Sequence, residues 1–299
     1  MFSRMFQGKS KGFKSEYWRE ARKCFVKYLP LSFIRPMCLK KNAFKHKYEP
    51  MHLSESRSSL TLDQPTLRIC SYNIWRNYHP KLITNSLKEI FQQSDVVLIQ
   101  EDAFRKGHSQ ASQEFTKDWD YAYSRIHSPQ VQTEYYDFEH SGQSTFSKYK
   151  INRSETYVLP LNHTAVYAEN HLLIRTVLYT QIIHTNGQKI GIYNVHLSNL
   201  TRPAGRNREI KYILDLVSKN KDDHVVIGGD FNTYMGPFET AVKTLQAAGY
   251  CNGAKRFWKV MDLDHIFVSS SIKSKNIIKV DKNHPGSDHQ PTDIVEINL

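Results

Sequence analysis

The sequence predicts an α/β domain in which two sheets pack together with helices outside them, preceded by a basic N-terminal extension. Three observations predict this arrangement. The chain has 299 residues, of which 39% are hydrophobic, enough to bury a sizeable core. After Pro65, apolar stretches of strand length alternate with only a few amphipathic stretches of helix length. The positive charge is concentrated ahead of that point.

Each element is predicted by its own pattern. Residues 67–74 alternate apolar and polar side chains, which is typical of a half-buried strand, and residues 96–99 form a continuous apolar run, which is typical of a strand covered on both faces. The full set of predicted strands is 67–74, 96–99, 144–147, 177–183, 189–195, 225–227, 264–268 and 293–297. Helices are predicted at 80–93, 206–218 and 238–248, the last one ended by Gly249.

The charge of the chain is unevenly distributed. The formal net charge is +12, and residues 1–50 carry 13 Lys and Arg against three acids, so that residues 51–299 have a net charge of only +2. This asymmetry predicts a basic arm on an almost neutral domain, and it argues against a domain whose whole surface binds nucleic acid. We predict an arm and linker in residues 1–63, with residues 54–59 as a Ser-rich linker, and the globular domain in residues 64–299.

The arm itself predicts a short basic amphipathic helix. Apolar side chains such as Trp18 and Phe25 recur at helical spacing between basic ones such as Arg22 and Lys23. Residues 13–47 are open to three roles, which are binding an anionic membrane surface, docking on a partner and targeting to an organelle; an extension with none of these roles is an equal alternative. No obligate protein partner is predicted.

The expected location is intracellular. The sequence has neither a 20-residue apolar stretch nor a conventional secretion leader, so we expect a protein that is not conventionally secreted. Association with a membrane, or targeting to an organelle, is expected to depend on the basic arm. The four cysteines show no zinc-binding spacing, which argues against a structural metal site. Cys70 lies in an apolar strand pattern, which predicts a buried free thiol in a reducing compartment.

Polar residues follow the predicted strands at several places. They are Asn73, Glu101, His196, Asp230 with Asn232, and Asp288 with His289. Each one alone is compatible with a turn or a cap. Together they form a set of carboxylates, amides and imidazoles without a nucleophilic thiol or serine, and such a set suits a hard divalent cation, Mg²⁺ or Mn²⁺, that binds phosphate oxygens.

Six ordered motifs carry a resemblance to a known family. They are Ser71-Tyr72-Asn73, Leu98-Ile99-Gln100-Glu101, Val195-His196-Leu197, Gly229-Asp230-Phe231-Asn232, Leu263-Asp264-His265-Ile266-Phe267 and Ser287-Asp288-His289-Gln290-Pro291. In order and spacing this set resembles the endonuclease/exonuclease/phosphatase superfamily, the group of deoxyribonuclease I, exonuclease III, neutral sphingomyelinases and inositol polyphosphate 5-phosphatases. The resemblance covers about residues 67–299.

The resemblance implies a fold and a set of roles. The fold is a four-layer α/β/β/α sandwich, and the activity is metal-dependent hydrolysis of a phosphoester by in-line attack of water. The implied metal ligands are Glu101, Asn73 and Asp288. The implied catalytic residues are Asp230 for the attacking water, Asn232 and His196 for the phosphate, and His289 oriented by Asp264. The general base is either Asp230 or His289.

Departures from the subgroups leave two substrate classes and a third alternative. The favoured one is a nuclease acting on nucleic acid, with Arg206 and Arg175 as candidate substrate contacts; alternatively Arg206 and Arg208 lie on the solvated face of a helix. The second is a phospholipid phosphodiesterase or phosphatase brought to membranes by the basic arm. The third is a binding relative that has lost catalysis.

Overall fold

The structure is a computed structural model, and it describes most of the chain beyond residue 49. The described residues are 50–56, 64–75, 79–105, 108–109, 111, 119–126, 140–160, 175–198, 203–234, 239–258, 261–272, 274–281 and 284–299. All of them belong to one unit, Phe44–Leu299. The predicted helix of the arm lies outside the described residues.

The elements follow the chain in the order strand, strand, helix and then many further strands. They are β1 (Pro50–Glu55), β2 (Thr66–Asn73), α1 (Pro80–Gln93), β3 (Val96–Arg105), β4 (His108–Ser109), β5 (Asp120–Ile126), β6 (His140–Ser147), β7 (Ile151–Val158), β8 (Thr176–Ile183), β9 (Lys189–His196), α2 (Pro203–Asn220), β10 (His224–Asp230), α3 (Thr240–Ala247), β11 (Tyr250–Trp258), β12 (Met261–Ser269), β13 (Ser274–Ile278) and β14 (Ile294–Asn298).

The described strands form two mixed sheets. The first has the order β1-β5-β6-β3-β2-β14-β13, with β4 paired to β3, and the second has the order β11-β12-β10-β9-β8-β7. The pairs β2–β3 and β9–β10 are parallel, and all other pairs are antiparallel. A parallel pair needs a crossover connection, and α1 and α2 are the helices that supply these two crossovers.

The core consists of three apolar layers. Between the two sheets lie residues such as Leu67, Leu98 and Val226. The outer face of the first sheet packs against α1, and the outer face of the second sheet packs against α2 and α3. The succession of helix, sheet, sheet and helix is the expected four-layer α/β/β/α sandwich, which is thereby confirmed.

Helix α1 shows why the pattern alone can locate an element. Its buried apolar residues Ile83, Leu87, Ile90 and Phe91 follow helical spacing, and Pro80 stands at the first helical turn, where a missing N–H costs nothing. The predicted bounds, 80–93, are those of the structure. In the described part of the chain, no helix is both long and apolar enough to cross a membrane.

The predicted beginning of the domain is corrected by β1. Residues 1–63 were expected to be arm and linker, but Pro50–Glu55 pairs antiparallel with β5 along its whole length. His52 also reaches the second sheet, since its imidazole lies 3.0 Å from Thr156 Oγ1 and 2.9 Å from Ser154 Oγ. The domain therefore includes Pro50–Glu55, and the proposed linker at 54–59 overlaps a strand.

Candidate active site

The strand ends named by the sequence meet at one end of the two sheets. In the first sheet, Asn73 is paired with Gln100, the residue before Glu101. In the second sheet, Asp230 is paired with His196 on one side and with Asp264 on the other. The parallel pairs β2–β3 and β9–β10 thus bring their carboxyl ends to a common edge, as expected for a site in an α/β fold.

A β-bulge presents Glu101 to this edge. In the pairing of β3 with β6, Gln100 lies opposite Gln143 and Asp102 lies opposite Gly142, so that Glu101 is an extra residue with a φ of 54°. Gln100 and Asp102 are fully buried, whereas 21% of the Glu101 side chain is exposed. The bulge changes the direction of one side chain and makes the carboxylate available to a ligand.

Asn194 fixes the two sheets relative to each other beneath the site. Its Nδ2 donates to the carbonyl oxygens of Ile99 at 3.1 Å and Ser144 at 2.9 Å, and its Oδ1 accepts from Gln100 Nε2 at 2.8 Å. All of these groups are buried, where satisfied polar contacts specify one arrangement. Glu101 directly follows Gln100 and His196 comes two residues after Asn194, so direct hydrogen bonds between the sheets set the positions of both site residues.

Asp230 is a buried carboxylate with a raised pKa. Its Oδ2 accepts from Asn73 Nδ2 at 3.0 Å, and its Oδ1 accepts from the backbone N–H of Asn232 at 2.9 Å. Burial raises the pKa of Asp230 to about 7; nearby His289 acts in the opposite direction, and Asp264 adds to the increase. A carboxyl with a pKa near neutrality can accept a proton from water and release it again.

The backbones of β9 and β10 are in close contact just before Asp230. Gly229 directly before it has a φ of 141°, and a Cβ at this position would lie 1.9 Å from the carbonyl oxygen of Val195. Only glycine fits there. After the strand ends, Leu197 N–H still donates to Asp230 O at 2.9 Å, so the chain segments that follow β9 and β10 remain joined.

His289 and Asp264 form an ion pair beside Asp230. His289 Nδ1 lies 2.7 Å from Asp264 Oδ2, and His289 Nε2 lies 3.7 Å from Asp230 Oδ2. Burial by itself lowers the pKa of His289, but the charges of Asp264 and Asp230 and the hydrogen bond to Asp264 raise it well above its usual value. These carboxylates therefore favour the protonated form of His289, which can donate a proton or stabilise negative charge through Nε2.

His196 points its Nε2 into the same space. This atom lies 3.5 Å from Asp230 Oδ2 and 4.0 Å from Glu101 Oε1. On the other side of the ring, Nδ1 lies 3.2 Å from Nη1 of Arg175. Because a guanidinium can only donate, Nδ1 is an acceptor in this contact and the proton of the neutral ring is on Nε2. Arg175, predicted as a substrate contact, is thus placed against a residue of the site.

Asn232 has its side chain fixed on two sides. Its Nδ2 donates to Leu197 O at 2.9 Å, and its Oδ1 accepts from the hydroxyl of Tyr234 at 2.7 Å. The residue has a φ of 50°, in the left-handed region that asparagine tolerates better than most residues. Its amide is therefore rigidly oriented next to Asp230.

The residues present fit a divalent cation. Asp288 Oδ1 is buried and has no hydrogen-bond partner among the described residues. Burial raises the pKa of Asp288, the charge of Glu101 raises it further, and His289 acts against the increase. A buried carboxylate oxygen without a partner, next to a second negative charge, suits a bound hard cation, and the predicted ligands Glu101, Asp288 and Asn73 could hold it. Asn73 Oδ1 already accepts from the N–H of Trp75 at 3.0 Å.

A second group of candidate ligands serves a different purpose. One atom each of Asp230, Asp264 and His289 lie within 4.8 Å of one another. His289 Nδ1 is already in contact with Asp264 at 2.7 Å, and the neighbouring carboxylates raise the pKa of His289, which favours the protonated ring over one with a lone pair for a metal. We therefore interpret this trio as a group for proton transfer.

The prediction for Arg206 as a substrate contact is wrong, and the alternative of a solvated helix face holds for Arg208 but not for Arg206. Arg206 lies on α2 but is 1% exposed, and its Nη2 lies 2.5 Å from Oε1 of Glu239, which is also buried. Its Nε donates to the other carboxylate oxygen at 3.4 Å. A guanidinium in this position cannot reach a substrate, and it does not lie on a solvated face. Arg208, two residues later, is exposed.

Some residues at the site carried no individual prediction. Ser287 Oγ donates to Asn73 O at 2.7 Å and accepts from the N–H of His289 at 3.1 Å, so it joins the C-terminal loop to β2. Tyr234 holds the amide of Asn232. Ser287 begins a motif that the sequence singled out, whereas the contact made by Tyr234 has no signal in the sequence beyond its place two residues after Asn232.

Comparisons with known proteins agree with this geometry. The model of the endonuclease/exonuclease/phosphatase family matches residues 70–289. No curated protein matches the chain. Among solved structures, an endonuclease/exonuclease/phosphatase from Beutenbergia cavernae DSM 12333 is 14% identical with a TM-score of 0.59, over 78% of this chain and 72% of that one.

Two further solved structures have the same fold. The human Nocturnin catalytic domain with bound sulfate is 14% identical with a TM-score of 0.59, over 84% of this chain and 96% of that one. D. rerio TDP2 complexed with a single-strand DNA product is 17% identical with a TM-score of 0.54, over 77% of this chain and 99% of that one. At these identities the likeness establishes the fold, and the resemblance read from the six motifs is confirmed.

Proposed function

The chain belongs to the endonuclease/exonuclease/phosphatase family, and on this premise we propose that it is a divalent-metal-dependent phosphodiesterase acting on nucleic acid. One observation supports the proposal above all others. A buried carboxylate with a pKa near 7, Asp230, lies within 3.7 Å of the Nε2 atoms of two histidines, His196 and His289. Such a group is suited to proton transfer during hydrolysis at neutral pH.

The residues suggest a division of roles. Asp230 accepts the proton of the attacking water, and Asn73 holds the carboxylate in place through Oδ2. His289, a cation paired with Asp264, stabilises the negative charge that develops on the phosphate oxygens, and His196 donates a hydrogen bond from Nε2. Asn232 holds the phosphate with the free N–H of its amide.

The metal would be held by residues that adjoin these groups. Glu101 and Asp288 supply carboxylate oxygens, and Asn73 supplies an amide oxygen. When bound, Mg²⁺ or Mn²⁺ withdraws electron density from a phosphoryl oxygen and offsets the charge of the leaving oxygen. Replacing Glu101 with Gln should therefore raise the metal concentration needed for half-maximal activity, which a Mg²⁺ titration measures.

Nucleic acid is the substrate class that we favour. The basic arm offers a polyanion the positive charge that the nearly neutral domain lacks. D. rerio TDP2, which has this fold, is solved with a single-strand DNA product, and we extend that class of substrate to this chain as a proposal. A phosphodiester in a polymer would lie with its phosphate against Arg175 and His196, which are 3.2 Å apart.

The position of β1 in the first sheet shows where the chain enters the domain. His52 is paired with Ser124, Ser124 with Gln143, and Gln143 with Gln100, which precedes Glu101. Three strand spacings, about 14 Å, separate β1 from β3 along this row. The chain therefore enters the sheet at the end that carries the site, and residues 13–47 precede this entry point. We include in the proposal that these residues bind the polyanionic substrate or an anionic membrane surface.

A phospholipid phosphodiesterase or phosphatase remains the second candidate. The arm alternates basic side chains with aromatic ones such as Trp18 and Phe25, a composition typical of segments that bind anionic lipid. Under this alternative the same site cleaves the phosphoester of a lipid headgroup, and the arm supplies the attachment to the membrane.

The test is nicking of supercoiled plasmid by the purified protein with Mg²⁺. We expect nicking that is lost with EDTA and in His289→Ala, and that is retained in Asp215→Asn, a change to an exposed carboxylate on α2. If no sample nicks the plasmid but the protein hydrolyses sphingomyelin in liposomes that contain phosphatidylserine, a lipid becomes the favoured substrate. Inactivity on both substrates would identify a binding relative.

A truncation tests the arm. Deleting residues 1–49 keeps β1 in its sheet, whereas a longer deletion to residue 60 would remove an edge strand. We expect unchanged hydrolysis of the small diester bis(4-nitrophenyl) phosphate, weaker binding to DNA or anionic liposomes, and a smaller dependence of DNA binding on salt. Equal binding before and after the truncation would remove the arm from the proposal.

A further inference from the structure

We propose that Tyr234 is a positioning residue for catalysis, which sets the orientation of the Asn232 amide from a support formed by the buried Arg206–Glu239 ion pair. The inference rests on the proposed function, because it assigns Asn232 to the phosphate. Tyr234 lies outside the six motifs, and through it the buried Arg206–Glu239 pair affects the active site.

The hydrogen bonds of Asn232 determine which way its amide faces. Leu197 O can only accept, so the atom 2.9 Å from it is the donor Nδ2. The carbonyl Oδ1 then faces Tyr234, whose hydroxyl donates at 2.7 Å. The reversed amide would place two acceptor oxygens against each other at Leu197. One N–H of Nδ2 is left for a ligand beside Asp230, and its direction is defined by the two contacts.

Tyr234 is itself held in place. Its backbone N–H donates to Asn232 O at 3.1 Å, which turns the chain back towards the amide. Its ring lies under the guanidinium of Arg206, with Cζ 5.6 Å from the ring centroid. A desolvated cation on an aromatic face is attractive, and the rigid pair with Glu239 prevents the guanidinium from moving away.

The arrangement explains why a charged pair is buried on the outer side of the second sheet. A short connection leads from Asn232 to α3, with Tyr234 near its beginning and Glu239 at its end. Arg206 contacts both of these residues. The hydroxyl of Tyr234 is thereby fixed at the distance that Oδ1 of Asn232 requires. Without the contact with Arg206, the tyrosine side chain would rotate more freely, and orienting the amide would cost conformational entropy.

Kinetics of Tyr234→Phe test the proposal. The change removes the hydroxyl and keeps the ring on Arg206, so we expect kcat for plasmid nicking or bis(4-nitrophenyl) phosphate to fall about tenfold, the worth of one positioned hydrogen bond. KM and the melting temperature should stay nearly unchanged. Tyr212→Phe, the same change at a half-buried tyrosine on α2, should have wild-type kcat.

A double-mutant cycle separates positioning from direct action. If Tyr234 acts through Asn232, then Tyr234→Phe should have no further effect in the Asn232→Ala background. Equal losses in both backgrounds would show that the hydroxyl acts on the substrate or elsewhere, and the proposal would be overturned. A wild-type kcat in Tyr234→Phe would overturn it as well.

A spectroscopic measurement makes the inference independent of activity. The side-chain NH₂ signals of Asn232 in a ¹⁵N–¹H spectrum are identified by their loss in Asn232→Ala. We expect them to shift in Tyr234→Phe and to remain in place in Tyr212→Phe. If the wild-type protein hydrolyses neither substrate, the proposed function fails while a shift still supports the positioning role; unshifted signals refute that role whatever the activity.

Discussion

Replacing Asp230 with Asn should reduce turnover and at the same time stabilise the metal-free protein at alkaline pH. The buried carboxylate has a pKa raised to about 7 from its usual 3.8, so burial penalises its ionised form. Asn cannot ionise and nearly keeps the shape of the side chain. Loss of the proton acceptor should lower kcat about a hundredfold or more, if Asp230 receives the proton of the attacking water.

The size of the stability effect follows from the pKa. A pKa raised from 3.8 to about 7 means that the folded state retains a proton that the unfolded state releases, so the stability of the wild-type protein falls as pH rises through this window. The complete penalty is about 4 kcal/mol at 1.36 kcal/mol per unit of pKa. Part of this penalty already lowers the stability of the wild-type protein at pH 5. The free energy of unfolding of the Asn variant, relative to the wild type, should therefore rise by about 2 to 3 kcal/mol between pH 5 and pH 8.

Urea unfolding of EDTA-treated protein at pH 5 and pH 8 is the assay. Asn can accept only with one oxygen, so it loses a hydrogen bond from either Asn73 or Asn232; this cost of about 1 kcal/mol is the same at both pH values and cancels in the comparison. Asp215→Asn, at an exposed carboxylate, serves as control and should differ little from wild type. An advantage of Asp230→Asn that does not change with pH would refute the reasoning.

Two further predictions concern the framework of the site. Gly229→Ala places a Cβ 1.9 Å from Val195 O at a φ of 141°, so it should lower the free energy of unfolding by about 3 kcal/mol or more, whereas Gly187→Ala, with open space around its Cβ, should cost about 1 kcal/mol. Glu239→Gln leaves Arg206 charged, buried and without its counterion, and should cost about 3 to 5 kcal/mol in the same urea measurement. A cost near zero in Gly229→Ala or in Glu239→Gln would contradict the close contacts at these two positions.

The strands that the sequence missed are mainly those at the edges of the sheets. β1 and β13 end the first sheet, and β11 and β7 end the second. An edge strand pairs on one side only and exposes part of its surface, as in Ile151–Val158, whose residues are mostly half-buried or exposed. Its apolar pattern is therefore weak. The central strand His224–Asp230, by contrast, is buried at every position and was predicted from an apolar run.

The direction of Glu101 shows a second limit of the sequence. A regular strand would point Gln100 and Asp102 to one face and Glu101 to the other, but the bulge opposite β6 changes this alternation. The bulge depends on the pairing of two strands whose bulge positions are about 40 residues apart, so no local pattern announces it. That Glu101 ends an apolar run was nevertheless enough to select it as a site residue.

Arg206 shows that the sequence alone does not tell whether a charged side chain is exposed or buried in an ion pair. Its place in a predicted helix and its neighbours Asn207 and Arg208 indicate a solvated face. Only the fold brings Glu239, which directly precedes the next helix, to 2.5 Å from Arg206, and a buried charge is stable when such a partner satisfies it. The sequence contains both residues, but nothing in their spacing marks them as a pair.

The sequence by itself determined the layered fold, the central strands and the inventory of the site, because apolar periodicity and the residues at strand ends are local properties. The tertiary structure decided which of these residues meet, as Asp230 does with His196 and His289, and it decided the protonation of the site, since pKa values depend on burial and on charges from distant parts of the chain. It also assigned Arg206 to the framework rather than to the substrate, because burial and pairing arise only when separate elements pack together.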